Sequence, residues 1–381
     1  MKKFIIYLLF IMCLFTSCVE GNMSYDGSKL DSDEMWNDNV EQNGHTEKEF
    51  IIHPQVLDMT LEEKVGQLFL ARCPDINAVT DVKKYNLGGY ILFARDFEEK
   101  TPEIVIDNIT SYQNAANIPL LIAVDEEGGD VCRVSKYENF RDNNFLSPRS
   151  IYKLGGMERL RADEAEKSLL LKSLGININM APVCDISTDK NAFMYKRSLG
   201  QGVELTSEFV SYVVSVNNNN KIGSVLKHFP GYGNNGDTHD DIIVDNRPLS
   251  VFENTDLIPF KKGIESGAPA ILVSHIIVNC FDREMPISLS VPAHEYVRKV
   301  LGFEGVIITD DLVMDAIKDK YGIEEAAVLA VLAGNDILCS TEYEKQYNAV
   351  LEAVKCGRIS DELLNKAVSR VLYLKEKLGL I

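Results

Sequence analysis

Long apolar runs are missing from this 381-residue chain: the longest, residues 4–15, has twelve residues, where a membrane-spanning helix needs roughly 18 to 20. A bilayer-spanning helix is not expected. Positive charge is also scarce. Lys and Arg number 39 against 57 Asp and Glu, a net charge of −18, and such a field repels nucleic-acid phosphates and anionic membrane surfaces. A nucleic-acid partner is not expected. Outside the N-terminal run the cysteines are Cys73, Cys132, Cys184, Cys280, Cys339 and Cys356, and no two form Cys-x-x-Cys. That spacing argues against a zinc or redox site and for buried free thiols. No Gly-x-Gly-x-x-Gly stands at a strand-to-helix turn, so a dinucleotide fold has no support. Neither a metal nor a cofactor is implied.

What is present, 45% apolar and 25% charged residues, suffices for a large folded core. The apolar run at 4–15 follows Lys2 and Lys3 and leads into Thr16, Ser17 and Cys18, the layout of a secretory signal. Small residues ending at a cysteine resemble a bacterial lipoprotein signal, in which Cys18 is lipidated and becomes the first mature residue. Phe15 departs from the usual Leu three positions before the cysteine. An ordinary cleaved signal peptide is the alternative. Either way residues 1–18 are not part of the fold, and the lipid form implies an exported protein anchored outside the cytoplasmic membrane or in the cell envelope. Residues 19–50 hold nine acidic residues against Lys29 and Lys48 without apolar periodicity, which reads as a solvated tether. The single tryptophan, Trp36, lies in it and is given no role.

From residue 51 onward one catalytic domain is expected. Short runs rich in Ile, Leu and Val at 66–71, 89–94, 120–124, 176–180, 224–227, 270–274, 306–309 and 336–339 alternate with helical segments. Both parities of these runs are apolar, as strands buried on two faces must be. In the segment 158–174, Leu160, Ala165, Leu169 and Leu170 share one helical face. Eight strands alternating with helices over roughly 320 residues predict a single α/β domain, a (β/α)8 TIM-type barrel. A doubly wound open sheet is the alternative.

In such a barrel chemistry belongs at the C-terminal ends of the strands. There the third run leads into Asp125, Glu126, Glu127, Gly128 and Gly129, the fourth into Asp185 and the fifth into Lys227 and His228. The sixth leads into His275 and the seventh into Asp310 and Asp311. One acidic strand end would be an ordinary helix cap; five polar ends converging on one mouth point to a site.

These stretches resemble glycoside hydrolase family 3, in its single-domain β-N-acetylglucosaminidase branch. The resemblance rests on DEEGG at 125–129 with Arg133, GININMAP at 175–182 with Asp185, Arg197-Ser198, KHFPG at 227–231, Asp237-Thr238-His239, and GFEG at 302–305 leading to Asp310-Asp311-Leu312. It implies a retaining, exo-acting enzyme that removes terminal β-linked N-acetylglucosamine from muropeptide or chitin-type oligosaccharides. Asp310 matches the nucleophile of the family, and the alternation of strand side chains lets only one of two adjacent carboxylates face the mouth. Asp311 is then expected to cap the next helix. His239 and Asp237 match the proton donor and its carboxylate partner. Asp125, Arg133, Arg197, Lys227 and His228 match sugar-binding positions, and His275 is expected to line or support the mouth. Three departures bear on the loops: Asp130 stands where the family often has Arg, Tyr232 where it often has His, and the span from Gly233 to Asp237 is one residue short. A non-hydrolytic sugar-binding lipoprotein, a β-glucosidase and a glycoside phosphorylase remain as competing readings. Oligomeric state is not legible.

Overall fold

The computed structural model describes residues 50–236 and 243–381. Cys18, Trp36, the tether, and the pair Asp237 and His239 lie outside the described residues. Eight parallel strands form one sheet: β1 (Phe69–Arg72), β2 (Gly89–Leu92), β3 (Leu121–Val124), β4 (Ile178–Asn179), β5 (Gly223–Phe229), β6 (Ala270–Val273), β7 (Val306–Thr309) and β8 (Leu338–Ser340). Each pairs with the next in chain order, β8 pairs with β1, and a parallel bridge between Ile308 and Ile337 joins β7 to the chain entering β8. The sheet therefore closes into the expected barrel. A short parallel pair, Val244–Asp245 with Ile277–Val278, stands outside it.

The two apolar parities have separate destinations. Leu70, Ile91, Leu121, Ala123, Ile178, Val225, Leu272, Val306 and Ile308 fill the interior. Phe69, Ala71, Tyr90, Leu92, Ile122 and Val124 face the surrounding helices. Fully burying one such large side chain contributes roughly 1.5–3 kcal/mol, and the barrel gains it on both faces of each strand. The floor is closed by the final helix, Asp361–Leu378, whose Val371, Leu374 and Leu378 join the interior cluster.

Two expectations need correction. Residues 66 and 67 end a helix, Leu61–Gln67, instead of opening β1. Thr60 Oγ1 accepts from the Glu63 amide while Glu63 accepts from the Thr60 amide, and this reciprocal cap carries the helix to Gln67. The segment Pro148–Ser173 is two helices broken at Gly155 and Gly156, and the second buries Leu160, Glu164, Lys167, Ser168 and Leu171, while Leu169 is 56% exposed. The face follows a buried ion pair, Lys167 Nζ to Glu164 Oε1 at 2.7 Å, whose lysine also donates to the Glu127 carbonyl at 3.2 Å. A support beneath the β3 loop overrides the apolar count.

Candidate active site

The interior parity, continued one step beyond the apolar layer, lands on Arg72, Phe93, Asp125, Lys227, Asp310 and Thr341. All six line a cavity of about 840 Å³ at the C-terminal ends of the strands. The mouth is thus the polar top layer of the same pleat that fills the barrel with Leu, Ile and Val.

Asp310 follows Ile308 by two residues, and its carboxylate accepts one hydrogen bond among the described residues, from the Asp311 amide at 2.9 Å. Burial alone would raise its carboxyl. The imidazoles of His275 and His228, that amide and the Lys227 ammonium outweigh burial and hold it below the usual carboxylate range. Asp311 has the opposite character. Burial raises it, and its carboxylate is occupied by the Thr341 hydroxyl at 2.6 Å, the Thr341 amide at 3.3 Å and the Val313 amide at 3.2 Å. It does not cap the next helix as expected: that helix is Asp315–Tyr321, with Met314 at its N-cap. Asp311 instead ties the turn after β7 to the end of β8.

Lys227, at the end of β5, is 2% exposed and donates to Asp125 Oδ1 at 2.6 Å, with Glu127 Oε1 also 2.6 Å away. Burial would lower its ammonium, but the two carboxylates raise it. Glu127 in turn holds Arg197 in a two-pronged bond, Nε to Oε2 at 2.9 Å and Nη2 to Oε1 at 2.6 Å, the geometry that orients a guanidinium best. Arg197 and Lys227 keep the Glu127 carboxyl well below its ordinary range despite complete burial. Arg197 Nη2 also lies 3.1 Å from His228 Nε2, and His228 Nδ1 lies 2.8 Å from Asp185 Oδ2. Asp185 accepts from the His228 and Tyr232 amides as well. One continuous network therefore runs from Asp125 through Lys227, Glu127, Arg197 and His228 to Asp185.

The arrangement brings Asp125, Arg133, Arg197, Lys227, His228 and Asp310 into one cavity. His275 is fully buried and supports the wall: Nδ1 meets the Ser288 hydroxyl at 2.7 Å and Nε2 the Asp311 carbonyl at 3.1 Å. Asp130 pairs loosely with Lys196 on the rim at 3.7 Å. Tyr232 packs edge-on against His228, with ring centres 5.4 Å apart. Glu126 is turned away from the cavity and accepts from the Arg133, Val134 and Ser135 amides, folding the loop that carries Arg133.

Three residues of the site escaped the reading of the sequence. Glu127 and Asp185 were visible as strand-end carboxylates, but their work, holding Arg197 and His228, depends on partners 70 and 43 residues away. Arg72 was discoverable from parity, since it follows inward-facing Leu70 by two. Its guanidinium lies 4.6 Å from the centre of the Phe93 ring and that of Arg133 lies 5.7 Å from it. Neither forms an ion pair among the described residues.

With this geometry in view, the chain can be compared with known proteins. A β-hexosaminidase of Xylella fastidiosa is 30% identical over 291 residues, 72% of this chain and 82% of that one. The β-hexosaminidase LpqI of Mycobacterium tuberculosis is 27% identical over 325 residues, 82% of each chain. Other relatives are longer: this chain spans 54% of β-hexosaminidase A of Pseudoalteromonas piscicida. Among solved structures, a glycoside hydrolase family 3 β-N-acetylglucosaminidase from Paenibacillus sp. str. FPU-7 superposes with a TM-score of 0.79 at 32% identity, covering 84% of this chain and 63% of that one. The family model for the glycosyl hydrolase family 3 N-terminal domain matches residues 60–374, nearly the whole barrel. This chain belongs to glycosyl hydrolase family 3.

Proposed function

We propose that this protein is a retaining, exo-acting β-N-acetylglucosaminidase that releases terminal β-linked N-acetylglucosamine from cell-wall or chitin-type oligosaccharides. The observation that carries the reading is Asp310. Its carboxyl, held below the usual carboxylate range, stands in the inward layer of the barrel, accepts one hydrogen bond among the described residues and lines the same cavity as Asp125, Lys227 and Arg197. The relatives named as β-hexosaminidases support the substrate class.

In the first step an Asp310 oxygen attacks the anomeric carbon as the bond to the leaving oxygen breaks, giving a covalent glycosyl-enzyme. His239, its imidazolium favoured by Asp237, gives its proton to that oxygen. The neutral imidazole then takes a proton from water as the water attacks, and the sugar leaves with its original configuration. The roles of His239 and Asp237 rest on the sequence motif. Asp125, Arg133, Arg197, Lys227 and His228 hold the sugar hydroxyls, with charged donors and acceptors pre-set by Glu127 and Asp185.

Incubation with an aryl β-N-acetylglucosaminide, with and without phosphate, tests the reading. Free N-acetylglucosamine formed as the β-anomer at a phosphate-independent rate is expected. A sugar phosphate as product would make the enzyme a phosphorylase, and binding without turnover would make it a sugar-binding protein. We also infer export with lipid attachment at Cys18, from the signal-like residues 2–18. Labelling with a fatty acid is expected in the full-length chain and not in Cys18→Ala; label retained by that variant refutes the anchor.

A further inference from the structure

Two arginines of the cavity differ from its other charged groups. Arg197 is gripped by Glu127 in two hydrogen bonds, whereas the buried Nε of Arg72 and that of Arg133 have no acceptor among the described residues. The carboxylates nearest to them in the chain are committed elsewhere. Asp75 pairs with Arg95 at 2.9 Å, Asp96 accepts from the Phe93 amide at 2.7 Å, Asp125 pairs with Lys227 at 2.6 Å, and Asp130 pairs with Lys196 at 3.7 Å.

What Arg72 and Arg133 share is one aromatic ring. Arg72 lies opposite Ile91 in the β1–β2 register, two residues before Phe93, and the two guanidinium groups stand 4.6 and 5.7 Å from the centre of the Phe93 ring. A guanidinium resting on a ring keeps its N–H edge for a ligand, and the paired N–H groups of that edge match the oxygens of an oxyanion. Two cations beside one ring repel each other, and a negative group within reach of both turns that repulsion into attraction. The lining of the cavity suits such a group. Although the chain carries a net charge of −18, six Lys and Arg side chains line the cavity against five Asp among the described residues, so an entering anion meets no local excess of negative charge.

Height in the barrel decides which part of a substrate Arg72 meets. It stands in the same inward layer as Asp125, Lys227 and Asp310, directly above the apolar layer of Leu70 and Ile91. An exo-acting enzyme holds the sugar it releases in that layer, and the rest of the oligosaccharide extends outward. On that sugar the hydroxyls at C3 and C4 are fixed to the ring, while the one at C6 sits on a rotatable exocyclic carbon. A substituent there reaches the wall while C1 stays at Asp310.

We propose that Arg72 is a specificity-determining residue that, beside Arg133, binds an acidic ester on C6 of the terminal sugar, so that the enzyme favours glycosides of N-acetylglucosamine 6-sulfate or 6-phosphate. This rests on the reading of the cavity as an N-acetylglucosaminidase site. The two esters share a tetrahedral oxyanion, and the test tells them apart.

The test compares nitrophenyl β-N-acetylglucosaminides that are unsubstituted, 6-sulfated and 6-phosphorylated. The parent is expected to favour at least one ester over the unsubstituted glycoside by about tenfold or more in kcat/KM, and the better ester identifies the group. Arg72→Gln should lower the ratio of ester to unsubstituted glycoside by about 10- to 100-fold, the range for a lost charged hydrogen-bond partner, through KM more than kcat. Arg72→Lys keeps the charge without the fork and should lie between; it carries the same comparison if the Gln variant does not fold. A parent without preference for either ester would overturn the proposal, as would a preference that survives in both variants. So would an Arg72-dependent preference for a carboxylate on the aglycone in place of the ester on C6. If none of the three glycosides is hydrolysed, the N-acetylglucosaminidase reading and this proposal fall together. If only the unsubstituted one is hydrolysed, this proposal alone falls.

Discussion

Lys227 at the mouth of the barrel and Lys375 beneath its floor are equally buried, yet their ammonium groups meet opposite surroundings. Lys227 stands between Asp125 and Glu127, and these carboxylates outweigh desolvation and raise its ammonium. Among the described residues Lys375 Nζ has the amide oxygen of Gln67 at 2.6 Å and no carboxylate, and desolvation lowers it to about 7. The floor end holds paired charges too, since Asp336, just before β8, binds Arg298 at 2.5 Å and Arg370 of the final helix at 3.0 Å, but no carboxylate pairs with Lys375 among the described residues. The difference shows that burial by itself does not decide the state of an ammonium; the carboxylate within reach does.

The comparison can be broken most severely at Asp310. Asp310→Asn should abolish turnover of aryl N-acetylglucosaminides by several orders of magnitude, because the attacking oxygen pair is lost, while sugar binding and melting temperature stay near those of the parent. Loss in Asp311→Asn with activity kept in Asp310→Asn would reverse the assignment.

Next in size is Lys227→Met. It leaves half-buried Asp125 and buried Glu127 near each other with one cation fewer, a loss of the kind that costs up to about 3–5 kcal/mol. Denaturant unfolding should show it together with loss of activity, and an unchanged midpoint would mean that Arg197 alone compensates the pair.

The floor should respond with the opposite sign. Lys375→Met removes a buried amine without a carboxylate partner, so the variant should be more stable than the parent at neutral pH, by a few kcal/mol at most. The pH dependence follows from the lowered folded value of about 7 against an unfolded value of about 10.4. Between these two the unfolded chain holds the proton and the folded chain does not, so this group makes stability rise with pH across that window. Below about 7 both states are protonated and the full burial penalty remains. Unfolding midpoints measured from pH 7 to 10 should therefore rise less steeply in Lys375→Met than in the parent; parallel curves would show that the amine escapes to solvent.

The smallest effect belongs to the second helix of the segment Pro148–Ser173. Leu169→Gln should change stability by less than about 0.5 kcal/mol, whereas Leu171→Ala on the buried face should cost about 2–5 kcal/mol. A large loss in Leu169→Gln would restore the face chosen by apolar count.

Much of the site could be read in advance because barrel strands make local pattern and global position the same thing. A run apolar on both parities is buried on both faces, and the residue two steps past its last inward apolar side chain must stand in the mouth. That logic places Asp125, Lys227 and Asp310 and would have placed Arg72. It fails where a residue's role depends on a partner from another strand, as for Glu127 with Arg197 and Asp185 with His228. It also fails where a helix buries a charged pair, as Lys167 and Glu164 do, since periodicity counts apolar residues and a paired lysine is not one.

From the sequence alone came the barrel and the polar strand ends, because period-two alternation and strand burial are properties of contiguous residues; the choice of Asp310 over its neighbour came from the resemblance to the family. Only the tertiary structure decided that Asp311 ties β7 to β8 instead of capping a helix and that Glu127 holds Arg197. It also decided the opposite treatment of Lys227 and Lys375. Each of those outcomes is set by which distant group comes within hydrogen-bonding reach, and that distance is fixed by closure of the sheet and not by any local pattern.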